Sequence, residues 1–506
     1  MSKLFYLLLF SQLTGNFCYS QLPGELDISF GTNGKIIHPS PIYTNGIQSM
    51  AQQTDGKILA VGSCDYKNYF VMRLNSDGSI DNSFGQNGIV KDSLLGEAYG
   101  NDVKVDGSGR ILVTGYIRHW NAGWLKDMFV VRLLEDGSYD PTFGENGIFV
   151  SHVSQPLAPT KENYGKKIII LNDGTILIGG IFDLGTTVNP DFAVFKITES
   201  GQFDSSFGSN GYVYYHLSGM DALTDIFLQN DGNILLTGST FNPVIVSALR
   251  LNPNGSLDNT FGTSGIVSID FGTSHQAGIS ILQLNNGNIL LSGYRGASTN
   301  LDYFITRLET NGQIDNSFGV NGFNFFDNGS AEGMRSMTLL PDNNIILTGS
   351  SAGNMLLVCY DSLGLINNSF ANNGNLIIDF SGYTDNAFCS LLQSDGKLVV
   401  SGLSSGVNNS RYYPFARLYS IYSSLFELDL DKGNFSIFPN PAKETMTIKI
   451  PDENNSYNSC SLIDASGREI KQIKLTCSET HIDILDLNPG IYFLKIGDWV
   501  QKLVVE

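Results

Sequence analysis

A chain of 506 residues is longer than one ordinary hydrophobic core supports, so at least two domains are expected. Its formal net charge of −19 sets aside nucleic acid as a partner, since the phosphate backbone requires a basic stripe, and suits solubility instead. With 55 glycines against 15 prolines, 31 phenylalanines, 22 tyrosines and no long helix-type patterning, the composition points to a β protein with many tight turns.

The chain begins with Lys3, an apolar stretch from Leu4 to Leu13, and Cys18-Tyr19-Ser20 ahead of Gln21. That is the order of a signal peptide ending at residue 20. The apolar run is too short to span a bilayer as a permanent helix, so no transmembrane segment is expected after its removal. Phe17 stands where a small residue normally precedes a lipid-accepting cysteine, and export without a lipid anchor is the expectation. Cys64, Cys359, Cys389, Cys460 and Cys477 remain, with no Cys-x-x-Cys pair and no zinc-type spacing. Cys460 and Cys477 share one terminal region and could pair.

From residue 24 one motif recurs. Ser-Phe-Gly-x-x-Gly or a near variant, with an acidic or amide residue three places before the Phe, centres on Phe30, Phe84, Phe143, Phe207, Phe261, Phe318 and Phe370. Such periodicity marks stacked units that cannot bury a core alone. The unit around Phe84 shows the shared plan. A strand-like Ile47–Gln53 meets the turn Asp55-Gly56, then the β-branched run Lys57–Gly62, then Tyr69–Leu74, then the turn Asp77-Gly78 and the segment Ile80–Val90. Runs bounded by Asn/Asp-Gly are hairpin signals, and four antiparallel strands per unit is the content of a propeller blade.

Two hairpins keep constant length. Gly56/Gly62, Gly109/Gly115, Gly174/Gly180, Gly232/Gly238, Gly287/Gly293 and Gly396/Gly402 are equally spaced, as are Arg73/Asp81, Arg132/Asp140, Lys196/Asp204, Arg250/Asp258 and Arg307/Asp315. The stretches between second and third strands vary. In a four-stranded meander alternate connections lie on opposite faces, so the constant turns share one face and the variable loops the other, where binding is expected. The first copy begins at Leu26–Gly31, read as the inside of a fourth strand, and the last stops after the third strand Phe415–Tyr419. The N-terminal strand can therefore complete the last blade and close a seven-bladed ring without an open edge. Recurring Arg–Asp pairs and Phe are read as architecture, because every blade needs them while a ring has one axial site.

The segments Gln53-Thr-Asp-Gly-Lys-Ile-Leu59 and Gln393-Ser-Asp-Gly-Lys-Leu-Val399, each joined to the Ser-Phe-Gly motif, resemble the delta-60 type repeat over residues 24 to 420. Around Phe370 the pattern departs, with Asn367 for Asp and Ala371 for Gly. The resemblance implies a repeat class with no agreed biochemical role.

Two candidate sites fall on the loop face. The longest variable loop carries Tyr116, Trp120 and Trp124, aromatics able to stack on sugar rings or anchor a protein, or else to fold back over their blade. Nine residues after the motif Phe stand Pro39, Ser93, His152, His216, Asp270, Asp327 and Asp379. His152, His216, Asp270, Asp327 and Asp379 could form an arc holding a divalent cation, or could be ordinary polar strand ends. The six histidines show no His-Glu-x-x-His and no serine sits in a Gly-x-Ser-x-Gly elbow. No cofactor is called for.

After Tyr422 the repeat ends. Residues 1–20 are read as signal peptide, 21–423 as propeller, 424–434 as linker and 435–506 as a small β-sandwich of immunoglobulin type. Phe438-Pro-Asn-Pro-Ala442, Asp464-Ala-Ser-Gly-Arg468, Leu487-Asn-Pro-Gly-Ile-Tyr492 and the basic/valine end resemble the type A C-terminal sorting domain of type IX secretion. That resemblance implies partnership with the secretion machinery, passage across the outer membrane of a Gram-negative bacterium, and surface display or release. The expectation is an exported, non-enzymatic propeller binding a glycan or protein. A propeller-type polysaccharide hydrolase or lyase is the alternative, and a structural adhesin component the third reading.

Overall fold

The computed structural model describes residues 23–40, 43–119, 125–151, 162–183, 190–380, 382–406, 408, 410–419 and, in the C-terminal part, 435–450, 459–464, 469–475, 479–485, 487, 490–496 and 499–505. The chain divides into two compact units, residues 1–422 and 423–506.

The first unit consists of seven four-stranded antiparallel sheets. In blade 1 the strands run Thr44–Gln52, Ile58–Cys64, Asn68–Leu74 and Ile89–Asp92, in that spatial order. The first strands of blades 2 to 7 are Glu97–Val105, Asn163–Ile170, Met220–Leu228, His275–Gln283, Glu332–Leu339 and Thr384–Leu392. Each is the innermost strand of its blade, packed against the first strands of both neighbours.

Second and third strands are buried over most of their length, which explains their apolar runs. Along a strand successive side chains point to opposite faces, and here both faces meet another blade. Thus Ile58 and Ala60 enter the core between blades 7 and 1, while Leu59 and Val61 enter the core between blades 1 and 2. Every adjacent pair of blades shares such a core, so the seven cores form a closed circle.

The motif tightens this circle. Each motif Phe is buried in the core between its own blade and the next, worth about 1.5–3 kcal/mol per side chain. The Arg of the third strand lies over it: Arg132 Cζ stands 4.6 Å from the Phe143 ring centroid. The same guanidinium donates through Nε to Asp140 Oδ2 at 2.7 Å and through Nη2 to Thr142 Oγ1 at 3.0 Å. Its Nη1 donates to the carbonyl of Glu199, in the next blade's turn. Arg73, Arg250, Arg307 and Arg417 repeat this arrangement, and Lys196 pairs with Asp204 at 3.0 Å. Blade 6 carries Cys359 and Asn367 at these two positions, losing both charges together and so avoiding an unpaired buried one.

The Ser-Phe-Gly segment is a turn ahead of the fourth strand, not the inside of it. Gly85, Asn87 and Gly88 take φ of 52°, 52° and 86°, left-handed values that a strand cannot contain. The fourth strand is consequently short, Ile89–Asp92.

Ring closure uses the N-terminal strand, as the odd ends of the repeat require. Lys35–Pro39 pairs antiparallel with Arg411–Leu418 as the outermost strand of blade 7. Ahead of it, Tyr419 N donates to Glu25 O and Asp27 N to Arg417 O, matching Asn75 to Ser79 and Asp81 to Arg73 in blade 1. Ala371 N donates to Pro23 O just as Gly85 N donates to Asp136 O. The last blade thus has a turn split between the two ends of the propeller sequence, with Pro23-Gly24 completing it.

The second unit is a two-sheet sandwich. One sheet contains Ser436–Phe438, Thr445–Lys449 and Glu479–Asp483; the other contains Glu469–Lys474, Ser459–Asp464, Gly490–Ile496 and Trp499–Val505. Its core includes Met446, Ile448, Leu462, Leu494 and Cys460. Cys460 is a free thiol, pushed up to about 12 by burial, so the pairing read from its position is not formed; Cys477 lies outside the described residues.

Candidate functional site

The turns closing strands 1–2 and 3–4 occupy one face of the ring, and the variable connections occupy the other. On that loop face the described residues build three features: an aromatic band, an axial cavity and junctions rich in carboxylates.

The band starts where blades 7, 1 and 2 meet. Tyr43 and Tyr66 stack with ring centroids 3.6 Å apart and remain 46% and 58% exposed. With Asn45, Ser63, Tyr99 and Arg411 they line a cavity of about 430 Å³. Tyr99 donates its hydroxyl to the Tyr66 carbonyl and stacks on Tyr116 at 4.7 Å, which in turn meets Tyr164 at 5.3 Å. Arg118 lies over Tyr99, and Lys126 over Tyr116 and Tyr164. Of the predicted aromatic trio, Tyr116 is therefore packed between two blades, where burial and then the Tyr99 hydroxyl push its own hydroxyl up to about 12. Trp120 and Trp124 lie outside the described residues.

The axial cavity arises from a defect repeated in every blade. Each innermost strand skips one residue at the same point of its pairing with the second strand, a β-bulge that leaves that residue free of the ladder; blade 1 also skips Asn45 and Gly46. The residues skipped at the shared point are Gln48, Asn101, Lys166, Thr224, Ile279, Arg335 and Phe388. All seven line one cavity of about 340 Å³, which Asn45 connects to the aromatic one. Asn101 and Thr224 donate to the carbonyls of Gly165 and Gly278 in the following blades, stitching the inner ring. Just behind, Asp102 accepts from Ser49 Oγ and Ile168 N, and Asp225 from Ser280 Oγ and Ile281 N. Burial raises Asp225, whereas Lys104 and Lys167 overcome burial and hold Asp102 low. Burial opposes the charge of Lys167, but Asp102 and Asp225 more than compensate.

The predicted cation-binding arc is not gathered into one site. The fourth strands are the outermost of their blades, so His216, Asp270, Asp327 and Asp379 are spread around the rim; His152 lies outside the described residues. Each instead meets its own blade and the next. His216 Nδ1 contacts Asp191 at 2.7 Å and Asp221 at 3.7 Å. Asp270 accepts from Gln276 Nε2 and Gly272 N, and the Asp379 carbonyl accepts from Lys35 Nζ. Asp327 joins Asp302 and Glu332, with ligand atoms within 4.8 Å of one another, as do Asp191, His216 and Asp221. These two triads are the described groups able to share a cation. Burial first, with Asp327 and Asp302 adding, pushes Glu332 up to about 7.

The family model "Domain of unknown function (DUF5122) beta-propeller" matches residues 53–84, 107–143, 171–207, 229–261 and 284–318. Each match runs from the first turn of a blade to its motif Phe, the part with constant hairpins. The model "Secretion system C-terminal sorting domain" matches residues 436–506. No curated protein sequence matches the chain. Among solved structures, the extracellular domain of a putative hybrid two-component system from B. thetaiotaomicron aligns at 12% identity and a TM-score of 0.41, covering 94% of this chain and 59% of that one. This chain thus spans less than two thirds of that structure. YCF48 bound to a D1 peptide aligns at 12% identity and a TM-score of 0.41, covering 78% and 99%. An α-L-arabinofuranosidase from Fusarium graminearum, in complex with an iminosugar inhibitor, aligns at 10% identity and a TM-score of 0.39, covering 78% and 98%. The chain is a β-propeller of DUF5122-type repeats that ends in a type IX secretion C-terminal sorting domain, the signature of export across the outer membrane to the cell surface or beyond.

Proposed function

We propose that this exported propeller is a non-enzymatic glycan-binding protein that engages its ligand on the loop face. The observation that carries the reading is the exposed Tyr43–Tyr66 stack at the mouth of a cavity of about 430 Å³, beside Arg411 and Asn45. Sugar rings present apolar faces for stacking and hydroxyls for hydrogen bonds, and rigid tyrosines with nearby amide and guanidinium groups offer both at low entropic cost. The cavity lies on the loop face, away from the recurring Arg–Asp clamps of the turn face.

The composition of the axial cavity supports binding over hydrolysis. A glycosidase sets two carboxyl groups about 5–9.5 Å apart across the scissile bond. Among the described residues lining the axial cavity, Asp225 is the one carboxylate, and Ser280 and Ile281 already occupy it. The test is calorimetric titration of the full chain with a panel of neutral and acidic oligosaccharides, alongside a product assay on the same mixtures. Saturable binding without cleavage, lost in Tyr66→Ala at unchanged thermal stability, is the expected result. Binding that survives both Tyr43→Ala and Tyr66→Ala, or released product, would overturn it.

A further inference from the structure

We infer that the axial cavity is a carboxylate subsite and that the glycan is acidic, carrying uronic-acid residues. This rests on the glycan reading above and adds the chemical class of the ligand. Lys166 and Arg335, from blades 3 and 6, are two of the seven bulge residues, and Lys167 follows Lys166 in the same cavity. Three cations therefore converge on the axis of a protein whose net charge is −19. Among the described residues none of the three has a carboxylate within ion-pairing distance of 4.0 Å. Lys167 is balanced at longer range by Asp102 and Asp225. Lys166 has no such balance, the charges bearing on it being Lys167, Arg335 and Lys126; its ammonium stands 5.7 Å from the Tyr164 ring centroid, and the Arg335 guanidinium 5.7 Å from that of Phe388.

The contrast with their counterparts sharpens the point. Asn101 and Thr224, at equivalent bulges, spend their polar atoms on the next blade's backbone, which is the structural use of the position. Lys166 and Arg335 make no such bond to a described residue, and they repel each other across the axis. In keeping with this, burial first and then Lys167, Arg335 and Lys126 depress the basicity of Lys166. An anion placed between them relieves that repulsion, and low-dielectric walls focus their field along the axis. Asn45 borders both cavities, so a ring stacked on Tyr43 and Tyr66 can continue into a neighbour whose carboxylate reaches the axis. A cavity of about 340 Å³ is within the range of small-ligand pockets, roughly 300–1,000 Å³.

The experiment is a calorimetric titration of the full chain with galacturonic-acid oligosaccharides, their carboxyl-reduced neutral counterparts and an acidic hexapeptide. The acidic sugar is expected to bind at least about tenfold more tightly than the neutral one, and its affinity to fall as salt rises, as screening of charge requires. Lys166→Gln with Arg335→Gln should erase that difference while leaving the neutral sugar's affinity unchanged, and Tyr66→Ala should weaken both sugars. Equal affinity for acidic and neutral sugars overturns the inference and leaves the glycan reading standing. Binding of neither sugar overturns both, and capture of the hexapeptide alone assigns the cations to a protein partner. Salt dependence in the unmodified protein decides the matter even where the double substitution impairs folding.

Discussion

The two faces of the ring use opposite strategies. On the turn face every blade repeats the motif Phe, and five of the seven add the same Arg, Asp and hydroxyl, with the Arg reaching a carbonyl in the next blade's turn. On the loop face equivalent positions diverge: the bulge residue is Gln, Asn, Lys, Thr, Ile, Arg or Phe, and the strand-4 end is Pro, Ser, His or Asp. A buried Phe in every blade, with the Arg–Asp clamp in five of them, answers one mechanical problem set seven times, the docking of neighbouring blades. Divergence among positions that share a backbone geometry signals that something other than the backbone selects them.

The largest effects are expected on the turn face. The side chains of Arg132 and Asp140 are 3% and 5% exposed, and Arg132→Ala leaves a buried carboxylate unpaired, so a loss of about 3–5 kcal/mol is expected in denaturant unfolding. Arg307→Ala should cost less, because the side chains of that pair are 12% and 14% exposed. Next in size is the split turn. Removing residues 21–25 deletes the acceptors of Tyr419 N and Ala371 N, a loss of about 2 kcal/mol at roughly 1 kcal/mol for each hydrogen bond.

Smaller again is a pH effect on the loop face. Glu332 rises from 4.5 in the unfolded chain to about 7 in the fold. Between those values the folded state holds the proton more tightly, so the Glu332 contribution to stability declines as pH climbs through that window. Glu332→Gln lacks the decline, and its melting temperature relative to the unmodified protein should improve steadily from about pH 5 to about pH 8. A difference independent of pH would remove the carboxylate cluster as its cause. Smallest is Tyr66→Ala, which should shift stability by no more than about 0.5 kcal/mol, as surface substitutions do.

Much of the turn face was legible in the sequence, because every element there repeats. Blade number, the constant hairpins, the Arg–Asp pairs and closure by the N-terminal strand follow from register alone. The Ser-Phe-Gly segment was misread as strand because its Phe and hydrophobic neighbours mimic strand composition, while the left-handed Gly85 and Gly88 end the ladder before Ile89. The cation arc failed for a reason of radius: positions one blade apart are near one another on an inner strand and far apart on an outer one. Tyr43 and Tyr66 come from two different connections and Tyr99 from the first strand of blade 2, and the three meet only in space. The axial residues did leave a trace. Each bulge residue stands a fixed fourteen positions before the glycine within the second strand, Gln48 before Gly62 and Phe388 before Gly402, a variable column in an otherwise regular repeat.

The division between the faces is tested most directly by titrating Arg307→Ala and Tyr66→Ala proteins with the same oligosaccharides and melting both. The account predicts that Arg307→Ala melts earlier and binds as the unmodified protein does, while Tyr66→Ala melts normally and loses binding. Loss of binding in Arg307→Ala at a temperature where it is folded, with full binding in Tyr66→Ala, would contradict it.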